Sequence, residues 1–528
     1  MSAASERTAA ARGAVVVGGG LAGITAALAL AGRGWRVTLV EAKPRLGGRA
    51  TSFDRDGWVV DNGQHVFLRC CTAYRGLLER LGAGPDSGMT ALQDKLDIPL
   101  RSAVDGVEAV LRRTNAPAPL HLAGALGRYA LLPLADRAKL GGAALALRRT
   151  DPADRSVDER SFGQFLRGHA QSPAAVSRLW SVISTATLNI DPDHASLALT
   201  AKVFRTGLLE HRDGADLGYA LVPLGRIHDE LARAALARAG VTVLTGAKVL
   251  PLAARPDTGT DASTGDGANR AQTEVAVSGR GGETKILTAD AVILAVPHDV
   301  AARLLPGPHP TDFGSLGHSP IINLHLRYDR PVLDRPFLAT VDSPAQWIFD
   351  RTESSRSGYR RAQRVRLVSG AGRAARGQDA PDRSGADDPG PGAGTDGAGA
   401  STAADGQYLA VTVSAADDYI DLPTGRLAEL FEEELKRVLP RARTAELTDF
   451  FVTRERHATF RQSCGTARLR PGARTALPSV FLAGAWTDTG WPDTMESAVR
   501  SGLIAARCAL DSDSGDTRST GTMTGAQT

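Results

Sequence analysis

The chain has 528 residues, a formal net charge of +4 and four cysteines. That length accommodates two or three domains. The near-balanced charge does not call for a nucleic-acid partner, although a pI of about 8.9 suits contact with an anionic lipid surface. Cys70, Cys71, Cys464 and Cys508 form no C-x-x-C pair, which argues against a disulfide framework or a zinc-cysteine site and fits a reducing cytoplasm. The opening MSAASERTAAARG lacks the apolar core of a signal peptide, and no apolar run has the length of a spanning helix.

Residues 1–12 read as a disordered leader. Ala14–Val17 is then a short apolar strand, and Gly18, Gly20 and Gly23 fit G-x-G-x-x-G. Leu21, Ala22, Ile24 and Leu28 continue as a helix, and Val37–Val40 is a second strand ending on Glu41. In such a unit one glycine turns the chain, one lets a pyrophosphate approach the backbone and one lets helix and strand pack closely. The helix start offers free N–H groups to the phosphates, and the terminal acid can bond ribose hydroxyls, which disfavours NADP. Lys43–Ala50 (KPRLGGRA) adds Gly47, Gly48 and Arg49, which read either as a second phosphate contact or as an ordinary glycine-rich loop.

Phe53–Gln64 reads as a hairpin turning at Asp56-Gly57, and Ala73–Leu81 as a helix closed by Gly82. Leu96–Leu100 and Val107–Arg112 are expected strands. Leu120–Leu147 mixes apolar and basic residues and reads either as a core helical region or as a surface dipping into a bilayer. Helical sequence from Ser161 to Leu209, with Trp180 and Phe204, suits the walls of an apolar site.

Ile227–Ala239 is an expected helix, followed by a strand pair at Val241–Leu244 and Lys248–Leu250. Residues 255–271 read as a loop insertion, Glu274–Ser278 and Thr284–Leu287 as strands, and Ala289–Pro297 as a buried strand. Strand character returns over 300–342, and the biased tract 354–407 lacks the apolar residues to fold. Tyr408–Ser414 is a strand, Gly425–Leu439 an amphipathic helix and 511–528 a polar tail. H-E-x-x-H, P-loop and G-x-S-x-G signatures are absent, no metal site is expected, and His65, His298 and His325 have structural roles as their simpler reading.

Val480–Ala506 (VFLAGAWTDTGWPDTMESAVRSGLIAA) repeats the strand, glycine turn and helix. With the opening motif and ADAVILAVP, it resembles the FAD-dependent amine oxidase and phytoene desaturase superfamily. Asn62–Gly82 (NGQHVFLRCCTAYRGLLERLG) is similar to the hydroxysqualene dehydroxylase branch, the squalene-associated FAD-dependent desaturases. The resemblance implies an α/β fold: a Rossmann-like FAD-binding domain with a discontinuous α+β substrate domain. The FAD part would comprise 13–91, 219–300 and 451–510, and the substrate part 92–218 and 301–450.

By the same resemblance, Gly484, Thr487, Thr494, Met495 and Glu496 line the flavin end, and backbone near Val249 meets the adenine. The family's usual Asp after the strand glycine is Ala485 here, with Asp488 as the candidate substitute. The aromatic residue that amine oxidases place before Met-Glu is Thr494, which argues against amine oxidation. The implied reaction is reductive dehydroxylation of hydroxysqualene to squalene for hopanoid-type lipids. Asp61 or His65 would protonate the leaving hydroxyl, the alternative being that Asp61 only orders the Asn62-Gly63 turn.

The implied partners are an isoprenoid lipid, the inner face of the membrane through residues 119–150, and an electron donor that the sequence does not reveal. Alternative readings are a polyprenoid desaturase running the hydride the other way, another oxidoreductase of the superfamily, and a non-catalytic prenyl-lipid carrier.

Overall fold

The computed structural model describes residues 11–56, 58–253, 272–279, 281–307, 309, 311–356 and 406–512. Nearly all of the expected leader, of the 354–407 tract and of the 511–528 tail, and the whole 255–271 insertion, lie outside the described residues; Asp511 instead ends the closing helix. A five-stranded parallel sheet runs in the order Thr242–Thr245, Arg36–Glu41, Gly13–Val17, Ala291–Leu294, Val480–Leu482. Its central strands are apolar on both faces, as a sheet covered on two sides requires. The opening helix Leu21–Ala31 and the closing helix Met495–Asp511 pack against each other on it. Three separated stretches of chain thus build one parallel sheet, the expected nucleotide-binding part.

Lys248–Val249 does not pair with Thr242–Thr245, as the sequence suggested. Gly246 lies between them in the left-handed region (φ +69°). Thr242–Thr245 joins the parallel sheet, and Lys248–Val249 joins the hairpin Thr273–Ser278/Thr284–Ala289.

A second sheet of seven strands runs in the order Leu447–Phe460, His318–Tyr328, Gln407–Ser414, Trp347–Asp350, Phe337–Val341, Asp97–Ser102, Glu108–Arg112. Its pairs are antiparallel except Phe337–Val341 with Asp97–Ser102. The amphipathic helix Thr424–Val438 covers one face with Leu427, Phe431 and Leu435, all fully buried. The other face meets the nucleotide-binding part: Asn323 Nδ2 and Thr453 Oγ1 each donate to the Asn62 carbonyl at 3.1 Å. Residues 451–460 continue a strand of this sheet, so the expected boundary at 450/451 is corrected to beyond Phe460.

Candidate functional site

The opening helix starts at Gly20 with no side-chain cap and no acid in its first turn. Its first backbone bond runs from Ile24 N–H to the Gly20 carbonyl, which leaves the N–H groups of Leu21, Ala22 and Gly23 without partners. Such an end attracts an anion, through unmet donors and the positive pole of the helix. The turn before it demands glycine. Gly18 has φ +105°, and a Cβ on Gly23 would stand 1.9 Å from the Gly18 carbonyl oxygen. Gly20 has open space, its nearest neighbour being Gly48 Cα at 3.9 Å from a built Cβ. Gly20 and Gly48, expected around one pyrophosphate, are therefore adjacent.

Glu41 accepts from Gly19 N–H at 2.6 Å and from Lys43 N–H at 2.7 Å. Each oxygen keeps a lone pair for a ribose hydroxyl. The Glu41 carbonyl also accepts from Ala247 N–H, which brings Val249 to the end of the second strand. Arg49 is half-buried, and its guanidinium makes no hydrogen bond with the described residues. An unpaired cation beside an uncapped helix start fits a pyrophosphate.

At the closing helix, Thr494 is the N-cap and accepts from Ser497 N–H at 3.2 Å. Met495 follows in the first turn, half-buried. Gly484 N–H donates to Ser501 Oγ, and Thr487 Oγ1 donates to the Gly484 carbonyl. Two expectations are corrected here. Glu496 does not face a flavin: its carboxylate accepts from Ala73 and Tyr74 N–H and pairs with Arg500 at 2.6 Å. The helix Thr72–Leu81 lacks a side-chain cap of its own, and Glu496 supplies the acceptors from across the fold. Asp488 does not replace the acid missing at Ala485. It is exposed, and its carboxylate accepts only a 3.4 Å bond from Gly490 N–H.

Sequence reasoning missed Arg470. This buried guanidinium donates to the carbonyls of Ala485, Trp486, Thr487 and Trp491 and so shapes the loop between closing strand and helix. It also missed Asp493, just before the N-cap. Its Oδ2 accepts from Phe460 N–H at 2.9 Å, and burial pushes its carboxyl up, with Arg49 and Arg470 pulling the other way. Trp491 lies between the cations of Lys202 and Arg500, each 5.0 Å from its ring.

A cavity of about 410 Å³ opens between the second sheet, at Phe337 and Phe349, and residues 61–66 and 219–224, with Asp334, Arg335, Asp350, Arg351 and Glu353 also in its lining. Val66, Tyr219, Leu221, Leu224, Phe337 and Phe349 form its apolar wall, with Asp61, Gln64 and His65 on the side of the Asn62 turn. Asp61 is corrected as a proton donor. It is 5% exposed, accepts from Ser52 Oγ and Leu224 N–H, and pairs with Arg351 at 2.8 Å. A carboxylate so engaged organises the turn, its oxygens already taken by protein donors. His65 differs: its imidazole makes no hydrogen bond with the described residues, and Gln64 Nε2 is buried without a partner. Burial lowers the pKa of His65, while Asp61 and Glu455 act in the opposite sense, so the ring meets a ligand in its neutral form at pH 7.

His325 is structural, as the simpler reading had it. Its ring bonds Tyr408 Oη and Thr453 Oγ1, stacks on Phe451 at 4.4 Å, and burial takes its pKa to about 3.

The model of flavin-containing amine oxidoreductases matches residues 21–510. The chain belongs to that family. Hydroxysqualene dehydroxylases of Sinorhizobium fredii and Rhodopseudomonas palustris are 27% and 28% identical, each over 94% of this chain and 97% of theirs. A zeta-carotene desaturase of Zea mays is 24% identical over 92% of this chain and 81% of its own. Among solved structures, a putrescine oxidase variant superposes with a TM-score of 0.63 at 17% identity, covering 96% and 99% of the two chains. Cyclohexylamine oxidase from Brevibacterium oxydans gives 0.62 at 17%, covering 95% and 100%. These neighbours establish the FAD-binding α/β fold. This family member is an FAD-dependent oxidoreductase, and its uncapped helix start, Glu41 and unpaired Arg49 fit that cofactor.

Proposed function

We propose that the chain removes the hydroxyl of hydroxysqualene reductively, giving squalene. The observation that carries this reading is a cavity with an apolar wall, charged side chains elsewhere in its lining, and two polar groups side by side: Gln64, whose Nε2 is buried without a partner, and His65. A polyene hydrocarbon needs no such pair; a long hydrocarbon with one hydroxyl does. The dehydroxylase names among its relatives support the same reading. Reduced FAD, when bound, would supply the hydride, its two electrons coming from the electron donor. Gln64 orients the hydroxyl, and His65, neutral at rest, takes up a solvent proton and passes it to the hydroxyl, which departs as water. The Asp61–Arg351 pair fixes the backbone from which both project. The apolar wall excludes water from the reacting carbon.

The substrate is nearly insoluble in water, so access from a bilayer belongs to the same proposal. Leu120 and Leu134 are 63% and 75% exposed, and Arg128, Lys139, Arg148 and Arg149 of the same segment are exposed too. No helix among the described residues is long and apolar enough to cross a membrane, so contact would be peripheral, on the inner face. Flotation with anionic vesicles tests the contact. The reaction is tested by incubating the photoreduced, FAD-loaded protein anaerobically with hydroxysqualene, followed by mass analysis. Squalene is the expected product. Turnover of phytoene by the oxidised protein, with hydroxysqualene left untouched, would establish the desaturase reading instead.

A further inference from the structure

His298, Asp299 and His318 converge at a place outside the reaction just described. His298 and Asp299 open the helix His298–Leu304, which follows the parallel strand Ala291–Leu294. His318 opens the strand His318–Tyr328 of the second sheet, which carries Asn323 to Asn62. One ligand atom from each residue lies within 4.8 Å of the others. His298 is 3% exposed, and its Nε2 is buried with no hydrogen bond; His318 Nδ1 is buried and equally without a partner. Two orphaned imidazole nitrogens side by side are costly unless something binds them.

The surroundings define what that could be. Phe313 and Trp486 stack at 5.1 Å beside His298, and His457 stacks on His318 at 4.0 Å. Arg303 pairs with Asp299 from the solvent side at 3.1 Å and orients its carboxylate. Arg49 and His457 also face the imidazoles, so among the described residues Asp299 supplies the one negative charge. Hard cations such as Mg²⁺ and Ca²⁺ require more oxygen ligands than this. Two imidazoles and one carboxylate suit a late first-row divalent ion, with a fourth position left to water or His457.

The geometry points to a transition-metal site, of which Zn²⁺ is the type ion, formed by His298, Asp299 and His318 and tying the nucleotide-binding sheet to the second sheet. Its role is to staple the two layers.

Tag-free full-length protein, stripped with chelator, is titrated with Co²⁺ and then Zn²⁺. One equivalent of Co²⁺ is expected, with visible ligand-field bands that Zn²⁺ abolishes, and Zn²⁺ should raise the Tm. His298→Ala and His318→Ala should each weaken Co²⁺ binding by ~100-fold or more, and Asp299→Asn, which keeps the side-chain shape, by ~10-fold. Far-UV circular dichroism checks that each variant is folded. A Cys70→Ser/Cys71→Ser variant should bind as the wild type does. No stoichiometric binding by the wild type, or binding that survives in all three ligand variants, would overturn the assignment.

Discussion

The starts of the two helices packed together on the parallel sheet have the same outline, a strand, a glycine turn and a helix, yet are finished differently. The opening helix has neither cap nor acid and leaves three donors exposed to a ligand. The closing helix is capped by Thr494, and the acid in its first turn is spent on another helix 422 residues away in sequence. The first end is built to receive charge. The second is already satisfied and contributes position and dipole. Similar motifs therefore carry different loads, and the anion-binding energy should reside almost entirely at the opening helix.

The strongest way to break the comparison is Gly23→Ala. The new Cβ would meet the Gly18 carbonyl at 1.9 Å, and soluble protein with bound flavin should not be recovered. Asp61→Asn removes the charge from a buried pair and should cost about 3 kcal/mol, read as a lowered denaturant midpoint. Gly20→Asp makes the opening helix resemble the closing one: its extended backbone and open surroundings accept a side chain, so stability should hold. An acid in the phosphate seat should nevertheless weaken FAD binding by ~100-fold, about 3 kcal/mol, by titration. Thr494→Ala, at the other end, should cost about 1 kcal/mol of stability and leave FAD affinity nearly unchanged.

The smallest effect concerns pH. Burial raises the Asp493 carboxyl, so the folded protein holds a proton that the unfolded chain releases. Between the unfolded pKa and the raised folded one, stability falls as pH rises. Asp493→Asn should therefore raise the Tm at neutral pH, and the gain should vanish in acid below the ordinary aspartate range.

Local pattern made the opening unit legible, because strand, turn and helix there are set by residues a few positions apart. The resemblance at the closing segment supplied the rest of the cofactor reading. What stayed hidden depends on distant partners. Asp61 reads as a free acid until Arg351, 290 positions away, pairs with it. Glu496 reads as a flavin neighbour until Ala73 and Tyr74 take its oxygens. Arg470 carries no motif, since its partners are backbone carbonyls. Val241–Leu244 and Lys248–Leu250 read as a strand pair because strand propensity does not say which sheet a strand joins. His298 and His318 stand 20 positions apart and meet only because a helix and a turn fold between two sheets.

Comparing FAD with riboflavin by equilibrium dialysis tests the central claim most directly. Riboflavin carries the same ring but neither the phosphates nor the adenosine that would reach Glu41. Retention of one FAD per chain, with riboflavin lost on dialysis, is the expected result. Equal retention of the two would contradict a site whose affinity comes from the uncapped helix.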